Sequence, residues 1–263
     1  RGLGDVYKRQ ANQSLIEPST FTQVHFAKCE PVVMDTRFNS SVTDIFRNEY
    51  LSPRSPYTTL QIPKQGIGEW CHPLHTVDIN DAGLRSSVQN GILNTELGIP
   101  FRTPAEGHNV AFTSLWDNYP DSLEIPLKGK ASRAYLLMAG STNHMQCHID
   151  NGVIRIYYKD GTRDVMFLRN PDNWPPIEHI FFEDGLAFNR HTPALYRLRL
   201  KTGEISNNFG EELGFPGASR ELDGGAAVLL EMPLNPGKKL SHLVLETLSN
   251  DVVIGLMSIT LQR

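Results

Sequence analysis

Short apolar or alternating segments separated by turn residues recur from residue 109 to the C-terminus, and they limit the possible folds more than any other feature. The clearest pair is residues 153–159 and 162–168, which flank Asp160-Gly161. An Asp-Gly dipeptide between two such segments is typical of a β-hairpin with a two-residue type I′ turn. Residues 133–139 are almost entirely apolar, which predicts a strand that is buried on both faces.

Other segments repeat this pattern. Tyr196, Leu198 and Leu200 alternate with Arg197 and Arg199, as in a half-buried strand with one solvated face. No window of about 12 residues carries an uninterrupted helical apolar stripe, although Asp81 could cap a short helical turn through residue 85. We therefore expect an all-β fold, a β-sandwich or jelly roll. Further strands are predicted at residues 110–116, 123–127, 226–231, 240–248 and 252–261.

The N-terminal part has a different character. The chain opens with Arg1 rather than Met, and residues 1–10 are basic and match no pattern downstream, so we interpret them as a sequencing or cloning remnant. Residues 11–56 contain short β-rich segments bounded by proline, which predicts an upstream β segment or linker. Residues 57–263 are predicted to form the sandwich domain. We expect the chain to be a piece of a larger protein.

Composition excludes some partners. The net charge is −4, from 25 basic and 29 acidic residues, and a nucleic-acid-binding surface would need a basic excess. No apolar run reaches the ~18 residues that a membrane span needs. Cys29, Cys71 and Cys147 lack the spacing of a metal site, and three cysteines form at most one internal disulfide.

The densest group of potential metal ligands is His144, Cys147 and His148, with Asp150 close by. In a strand, residues 144 and 148 would face one way and residue 147 the other, so a polar loop between two strands is the favoured interpretation. The sequence thus predicts no metal site and no cofactor; a structural calcium is compatible with it, but no pattern indicates one. Histidines near Cys147 in sequence do not make a catalytic dyad, and no G-x-S-x-G motif is present.

Carboxylates give no clearer catalytic prediction. A glycosidase needs two carboxyl groups across a sugar, and sequence spacing does not fix that separation. With 29 acidic residues, candidate pairs are easily found. No catalytic residue is predicted, and whether this chain is itself an enzyme stays open. The candidates include Asp78, Asp81, Glu96, Glu106, Asp117 and Glu178.

Tryptophans in polar or proline-rich surroundings suggest sugar contacts, because sugars stack on aromatic faces while amides and carboxylates bind their hydroxyl groups. Trp70 follows Gly68-Glu69, Trp116 precedes Asp117 and Asn118, and Trp174 lies in an Asn-Pro-rich stretch. Loops carry binding residues disproportionately. The alternative is that these rings anchor the core or a domain seam. The candidate carbohydrate-binding residues are Trp70, Trp116, Asp117, Asn118 and Trp174.

Several stretches together resemble a known family. They are residues 57–73 (YTTLQIPKQGIGEWCHP), 98–118 (GIPFRTPAEGHNVAFTSLWDN), 132–150 (SRAYLLMAGSTNHMQCHID), 170–178 (NPDNWPPIE) and 250–263 (NDVVIGLMSITLQR). This order resembles the C-terminal region of large bacterial six-hairpin-type glycosidase-like proteins, some of which carry a domain of unknown function. It also resembles the galactose-binding-like jelly rolls attached to such enzymes.

The resemblance covers residues 57–263 and implies an exported, periplasmic or extracellular parent that acts on complex polysaccharide. In six-hairpin enzymes the catalytic acids belong to an (α/α) barrel, so no catalytic residue is carried onto this chain. We expect a non-catalytic C-terminal β-sandwich of a glycoside hydrolase, which packs on an upstream catalytic domain and contacts carbohydrate through its loops. The alternatives are a stand-alone carbohydrate-binding module, a catalytic site built on the sandwich, and a structural or adhesion domain without sugar contact.

Overall fold

A computed structural model describes residues 13–16, 28–54, 78–181, 185–186, 188–208 and 219–263. Strands dominate these residues, which confirms the predicted all-β class. The strands are β1 Gln13–Leu15, β2 Cys29–Pro31, β3 Val88–Gln89, β4 Ile92–Asn94, β5 Pro100–Arg102, β6 Ala111–Ser114, β7 Ser122–Pro126, β8 Arg133–Thr142, β9 Gly152–Tyr158, β10 Arg163–Leu168, β11 His179–Phe181, β12 Arg197–Arg199, β13 Ile205–Ser206, β14 Ser219–Glu221, β15 Ala226–Pro233, β16 Leu240–Thr247 and β17 Val252–Gln262.

Two sheets form a β-sandwich. The first has five strands in the order β1-β10-β9-β16-β7. The second has seven, in the order β13-β12-β15-β8-β17-β2, with β6 also paired to β17. Between them lies an apolar core to which β8 contributes Leu136 and Met138, and β9 contributes Ile154 and Ile156. Burial of these side chains on facing sheets is the main force that holds the layers together.

The second sheet is covered on its other face as well. Tyr135 and Leu137 of β8 point away from the first sheet and pack in a cluster with Val42, Ile45 and Phe101. The strands β3, β4 and β5 form a small separate sheet in this layer. Strand β8 is therefore buried on both faces, as its apolar sequence predicts.

Part of the segment predicted to lie upstream belongs to the sandwich in the structure. Strand β1 pairs with β10 in parallel, and β2 pairs with the C-terminal strand β17. Two short 3₁₀ helices, Asp35–Arg37 and Val42–Asp44, precede the fully buried Ile45. The proposed boundary at residues 56 and 57 lies outside the described residues, as does the segment 1–10.

Strands β9 and β10 form the predicted hairpin, but the predicted type I′ turn is wrong. The Tyr158 N–H donates to the Thr162 carbonyl (2.9 Å), so the loop has three residues rather than two. Of the loop residues only Gly161 has a positive φ, +84°. This matches the three-residue hairpin loop with glycine in the left-handed position. A paired positive φ occurs instead at Asn90 and Gly91 (52° and 76°), between β3 and β4.

The hairpin loop leads to a prediction for Asp160. Its carboxylate accepts hydrogen bonds from the Thr162 hydroxyl (2.6 Å) and N–H (3.0 Å) and pairs with Lys238. These bonds lower the pKa of Asp160 from 3.8 to about 2. A depressed folded-state pKa stabilises the fold above the unfolded value, and this contribution is lost as the pH falls from about 4 to 2. We expect an NMR titration to give a pKa near 2 for Asp160.

In the Asp160→Asn variant, the free energy of unfolding should no longer show the loss that Asp160 causes as the pH falls from about 4 to 2. A matched control is Asp223→Asn, which removes another exposed aspartate that pairs with a lysine, Lys201. A pKa near 4 for Asp160, or equal acid unfolding of the two variants, would contradict the prediction.

A single α-helix, α1, spans Ala82–Ser86 among the described residues and confirms the predicted helical turn. Asp81 precedes it but makes no side-chain capping bond. Its carboxylate instead accepts hydrogen bonds from the Arg85 side chain (2.8 Å) and the Asn109 amide (2.8 Å). No helix in the described ranges is long and apolar enough to cross a membrane.

Candidate functional site

Polar side chains gather at one end of the sandwich, where the β8–β9 loop meets the segment after β10. The His148 N–H donates to the Asn170 carbonyl (2.7 Å), and Cys147 and Asn170 form an isolated β-bridge. The Asn170 amide also donates to the Cys147 sulfur (3.4 Å). These contacts hold the two loops side by side and bring His148 next to Asp172.

Asp172 lies between two histidines. His148 Nδ1 is 3.6 Å from one carboxylate oxygen of Asp172, and His191 Nδ1 is 3.6 Å from the other. The ring centroids of the two histidines are 4.5 Å apart. One potential ligand atom from each of the three residues falls within 4.8 Å of the others. Two imidazoles and one carboxylate are a common set for first-row transition metals.

The backbone fixes this group in place. Asp172 Oδ1 accepts a hydrogen bond from the His191 N–H (2.7 Å), and the Asp172 carbonyl accepts one from the Thr192 hydroxyl (2.7 Å). His148 has a φ of +54°, a left-handed conformation that few residues other than glycine adopt. Strained conformations of this kind tend to cluster at functional sites, where surrounding contacts hold them.

A pocket of about 230 Å³ opens beside this group. Its wall combines the ring of Phe167 with charged, amide and hydroxyl groups, so it offers both an apolar face and hydrogen-bonding partners. The Arg169 guanidinium lies over the Phe167 ring, 5.6 Å from its centroid, and pairs with Asp150 (2.7 Å). The lining residues are Leu15, Ile16, Phe167, Arg169, Asp172, Asn173, His191 and Thr192.

A second polar group lies in the interior on the same two segments. Glu178 is fully buried, accepts a hydrogen bond from the Ser141 hydroxyl (3.0 Å) and lies 3.3 Å from His144 Nε2. The ring centroids of His144 and His179 are 5.0 Å apart. A buried carboxylate is costly without such partners, so this network fixes the position of the segment that carries Glu178.

Arg197 is a buried cation near this network. Its guanidinium donates to the carbonyls of His179 (2.9 Å), Pro176 (2.7 Å) and Ala226 (3.0 Å). Burial lowers its pKa to about 10, while the charge of Glu178 acts in the opposite direction. The predicted solvated face of strand β12 is therefore wrong at Arg197, because this side chain turns inward to bind three carbonyls.

The tryptophans predicted to contact sugar lie in the interior where they are described. Trp174 is fully buried in the core between the sheets, and its ring lies against Gly140. Trp116 is 8% exposed, and its indole N–H donates to the Asn250 carbonyl (3.2 Å). Trp70 lies outside the described residues. A sugar contact through these rings stays a prediction, and the burial of Trp116 and Trp174 does not support it.

Asp117 and Asn118 contact the segment at residues 49–54. Asp117 accepts a hydrogen bond from Ser52 (2.6 Å) and pairs with Arg54 (3.4 Å). Asn118 accepts one from the Leu51 N–H (2.7 Å) and donates to the Glu49 carbonyl (3.0 Å). These bonds attach the N-terminal segment to the loop after β6, so the two residues have a structural role here.

Other candidates are separated from one another. The residues of the densest potential ligand group in the sequence, for which a polar loop was the favoured interpretation, lie in different contacts: His144 joins Glu178, Asp150 pairs with Arg169, and His148 belongs to the group around Asp172. Cys29 and Cys147 form no disulfide with a residue in the described part, and Cys71 lies outside it.

Sequence reasoning missed Asp172, His191 and Arg197 as site residues. Asp172 lies two positions before Trp174, in a stretch that the sequence predicted to contact sugar through the tryptophan ring. His191 lies in a polar stretch with no strand pattern, where the only signal was a histidine in a loop.

Comparison with known proteins identifies no family for this chain. No protein-family model matches it, and no curated protein matches it significantly.

Proposed function

We propose that this chain is a non-catalytic β-sandwich domain of a polysaccharide-degrading glycoside hydrolase, and that the pocket at its loop end contacts carbohydrate. It would pack on a catalytic domain of the same protein, in the periplasm or outside the cell. The proposal rests on the resemblance over residues 57–263 and on one structural observation. That observation is the pocket, in which an aromatic ring stands among groups that bind hydroxyls.

The pocket chemistry supports a sugar ligand. Phe167 supplies an apolar surface for the C–H face of a sugar ring, and the charged groups of Arg169 and Asp172 lie in the same wall. Ligand pockets of this kind combine an apolar wall with a few placed polar groups. The volume of about 230 Å³ suits one sugar unit at the end or side of a chain better than a long oligosaccharide.

The contacts of two of the candidate carboxylates, Glu178 and Asp117, support the non-catalytic half of the proposal. Glu178 is 0% exposed and bonded to Ser141, and Asp117 is bonded to Ser52 and Arg54. In the described part of the chain both carboxylates make contacts internal to the fold, whereas a glycosidase needs two carboxyl groups placed across a bound sugar.

A role in packing on a neighbouring domain is supported by apolar side chains near this end of the sandwich. Met145 and Ile149 of the β8–β9 loop are 63% and 47% exposed. Exposed apolar residues grouped on one loop often mark a contact with another protein surface. This contact and the pocket would place the sugar close to the domain boundary.

The sugar contact is tested by affinity electrophoresis of the whole chain in gels that contain soluble plant or host polysaccharides. We expect retardation in at least one of them. The Phe167→Ala variant should bind roughly two- to tenfold more weakly, because an aromatic contact contributes about 0.5–1.5 kcal/mol.

Tyr157→Ala is the matched control. Tyr157 is also an aromatic residue on the outer face of the five-stranded sheet, but it stacks on His242 (4.5 Å) and lies outside the pocket. Equal weakening of polysaccharide binding by the two variants would indicate that the sugar binds outside the pocket. No retardation in any gel would leave only the packing role.

A further inference from the structure

We propose that His148, Asp172 and His191 bind one divalent transition-metal ion of the zinc class at the rim of the pocket. This inference does not depend on the proposed sugar contact, because it rests on the geometry of three side chains. It goes beyond the sequence prediction, which placed no metal on this chain.

The distances fit an ion between the three groups. Zinc binds imidazole nitrogen at about 2.0–2.1 Å and carboxylate oxygen at about 2.0–2.2 Å, so ligand atoms in a tetrahedral site stand roughly 3.3–3.5 Å apart. Both histidine nitrogens are 3.6 Å from their nearest Asp172 oxygen. These separations exceed a hydrogen-bond length but come close to the edge of a coordination polyhedron.

The nitrogens of His148 need a partner. Both ring nitrogens are shielded from solvent, and neither has a hydrogen bond to any residue in the described part of the chain. A shielded imidazole nitrogen without a hydrogen bond is costly, so a ligand is expected there. Asp172 faces it with a carboxylate that is itself mostly buried. A metal ion would satisfy both groups at once.

The donor set selects the class of ion. Two imidazole nitrogens and one carboxylate suit zinc and its first-row neighbours, whereas calcium and magnesium take oxygen ligands almost exclusively. Calcium, which the sequence left compatible, is therefore not the ion that this group fits. His191 completes the set from the outside. Its side chain is 62% exposed and can turn toward the ion with little resistance from packing.

The site has one face toward the pocket. Asp172 and His191 belong both to the triad and to the pocket wall. Three protein ligands leave at least one coordination position for water or a ligand oxygen, which distinguishes this type of site from a closed structural zinc site with four protein ligands.

The test uses the metal alone. The whole chain is stripped with a chelator and titrated with Zn²⁺ by calorimetry, and Co²⁺ serves as a spectroscopic probe of the coordination. We expect one ion per chain, visible-region cobalt bands of a site with nitrogen and oxygen ligands, and a metal-dependent rise in Tm. Calcium should give none of these signals.

Two variants remove ligands with little risk to the fold. His191→Ala truncates an exposed side chain, and His148→Asn removes the imidazole while keeping a residue that tolerates a positive φ. Each should weaken zinc binding by roughly a hundredfold or more, since even changes behind the ligands cost 10–100-fold. The control is His108→Ala, an exposed histidine outside the triad.

Some outcomes would overturn the inference. They are no zinc binding by the unaltered chain, equal binding of zinc and calcium, or unchanged affinity in both ligand variants with a folded circular-dichroism spectrum. Sulfur-to-cobalt charge-transfer bands, which would place the ion on a cysteine rather than on the triad, also overturn it.

Discussion

Replacing Gly140 with alanine is expected to destabilise the sandwich by about 3 kcal/mol, the upper end of the usual cost of overpacking a core. Gly140 lies in β8, the strand with both faces buried. A Cβ atom there would stand 2.1 Å from the Val253 carbonyl oxygen and 2.7 Å from the Trp174 ring. Val253 belongs to β17, which pairs with β8, so its backbone cannot move aside without breaking the ladder.

The same change should also affect the site. The Gly140 carbonyl accepts a hydrogen bond from the Ile177 N–H (2.8 Å), next to Glu178. Trp174 anchors the segment that carries Asp172. A methyl group that displaces the Trp174 ring would therefore disturb the segment from residue 172 to residue 178, and zinc affinity should fall together with stability.

Urea unfolding followed by circular dichroism measures the stability effect. The control is Gly237→Ala, in an exposed turn where the added Cβ meets only the Asn235 side chain at 3.1 Å. Its expected cost is about 0.5 kcal/mol or less. Equal costs at the two positions would show that the close approach at Gly140 is relieved by small movements of the strands.

The strands of the sandwich could be predicted because burial and periodicity agree in them. The apolar run in β8 and the alternation in β9 and β10 are direct consequences of which faces are covered. The layer over the outer face of the second sheet could not be predicted. Its strands and helices are very short. Val42 and Ile45 are buried because they pack in a cluster with residues of β8 and β17, and the sequence around them has no helical or strand periodicity that would predict this burial.

The segment around Trp174 shows why its sequence predicted an exposed loop although the structure buries it. The neighbours of Trp174 are asparagine, aspartate and proline, which suggests an exposed loop. In the structure Asn173 is fully buried because its amide donates to the Phe167 carbonyl (2.8 Å) and accepts the Arg169 N–H (2.8 Å). Side-chain amides thus replace the backbone partners of an irregular segment and allow it to be buried. Composition alone does not distinguish this use of asparagine from an exposed turn.

The metal triad had no sequence signal of its own. His148, Asp172 and His191 are far apart in the chain, and each comes from a different loop. The β-bridge between Cys147 and Asn170 and the bond from the His191 N–H to Asp172 bring them together. Such contacts depend on the tertiary fold, so ligand spacing in the sequence did not indicate this group.

Replacing Arg197 with methionine should destabilise the fold by about 3–5 kcal/mol, the range for removal of one partner from a buried pair. The guanidinium is buried, binds three backbone carbonyls and interacts with the charge of Glu178. Methionine fills a similar volume but leaves the Glu178 carboxylate buried beside Ser141 and His144, without a nearby guanidinium to balance its charge. The uncompensated charge causes most of the loss.

Arg199→Met is the matched control for Arg197→Met. Arg199 lies on the same strand but forms an ion pair with Glu204, whose side chain is 61% exposed. Exposed pairs contribute about 0–1 kcal/mol, so urea unfolding should separate the two variants clearly. The double variant Arg197→Met with Glu178→Gln should recover part of the loss, because it removes the isolated charge. No recovery would mean that the lost carbonyl bonds, rather than the charge of Glu178, account for the role of Arg197.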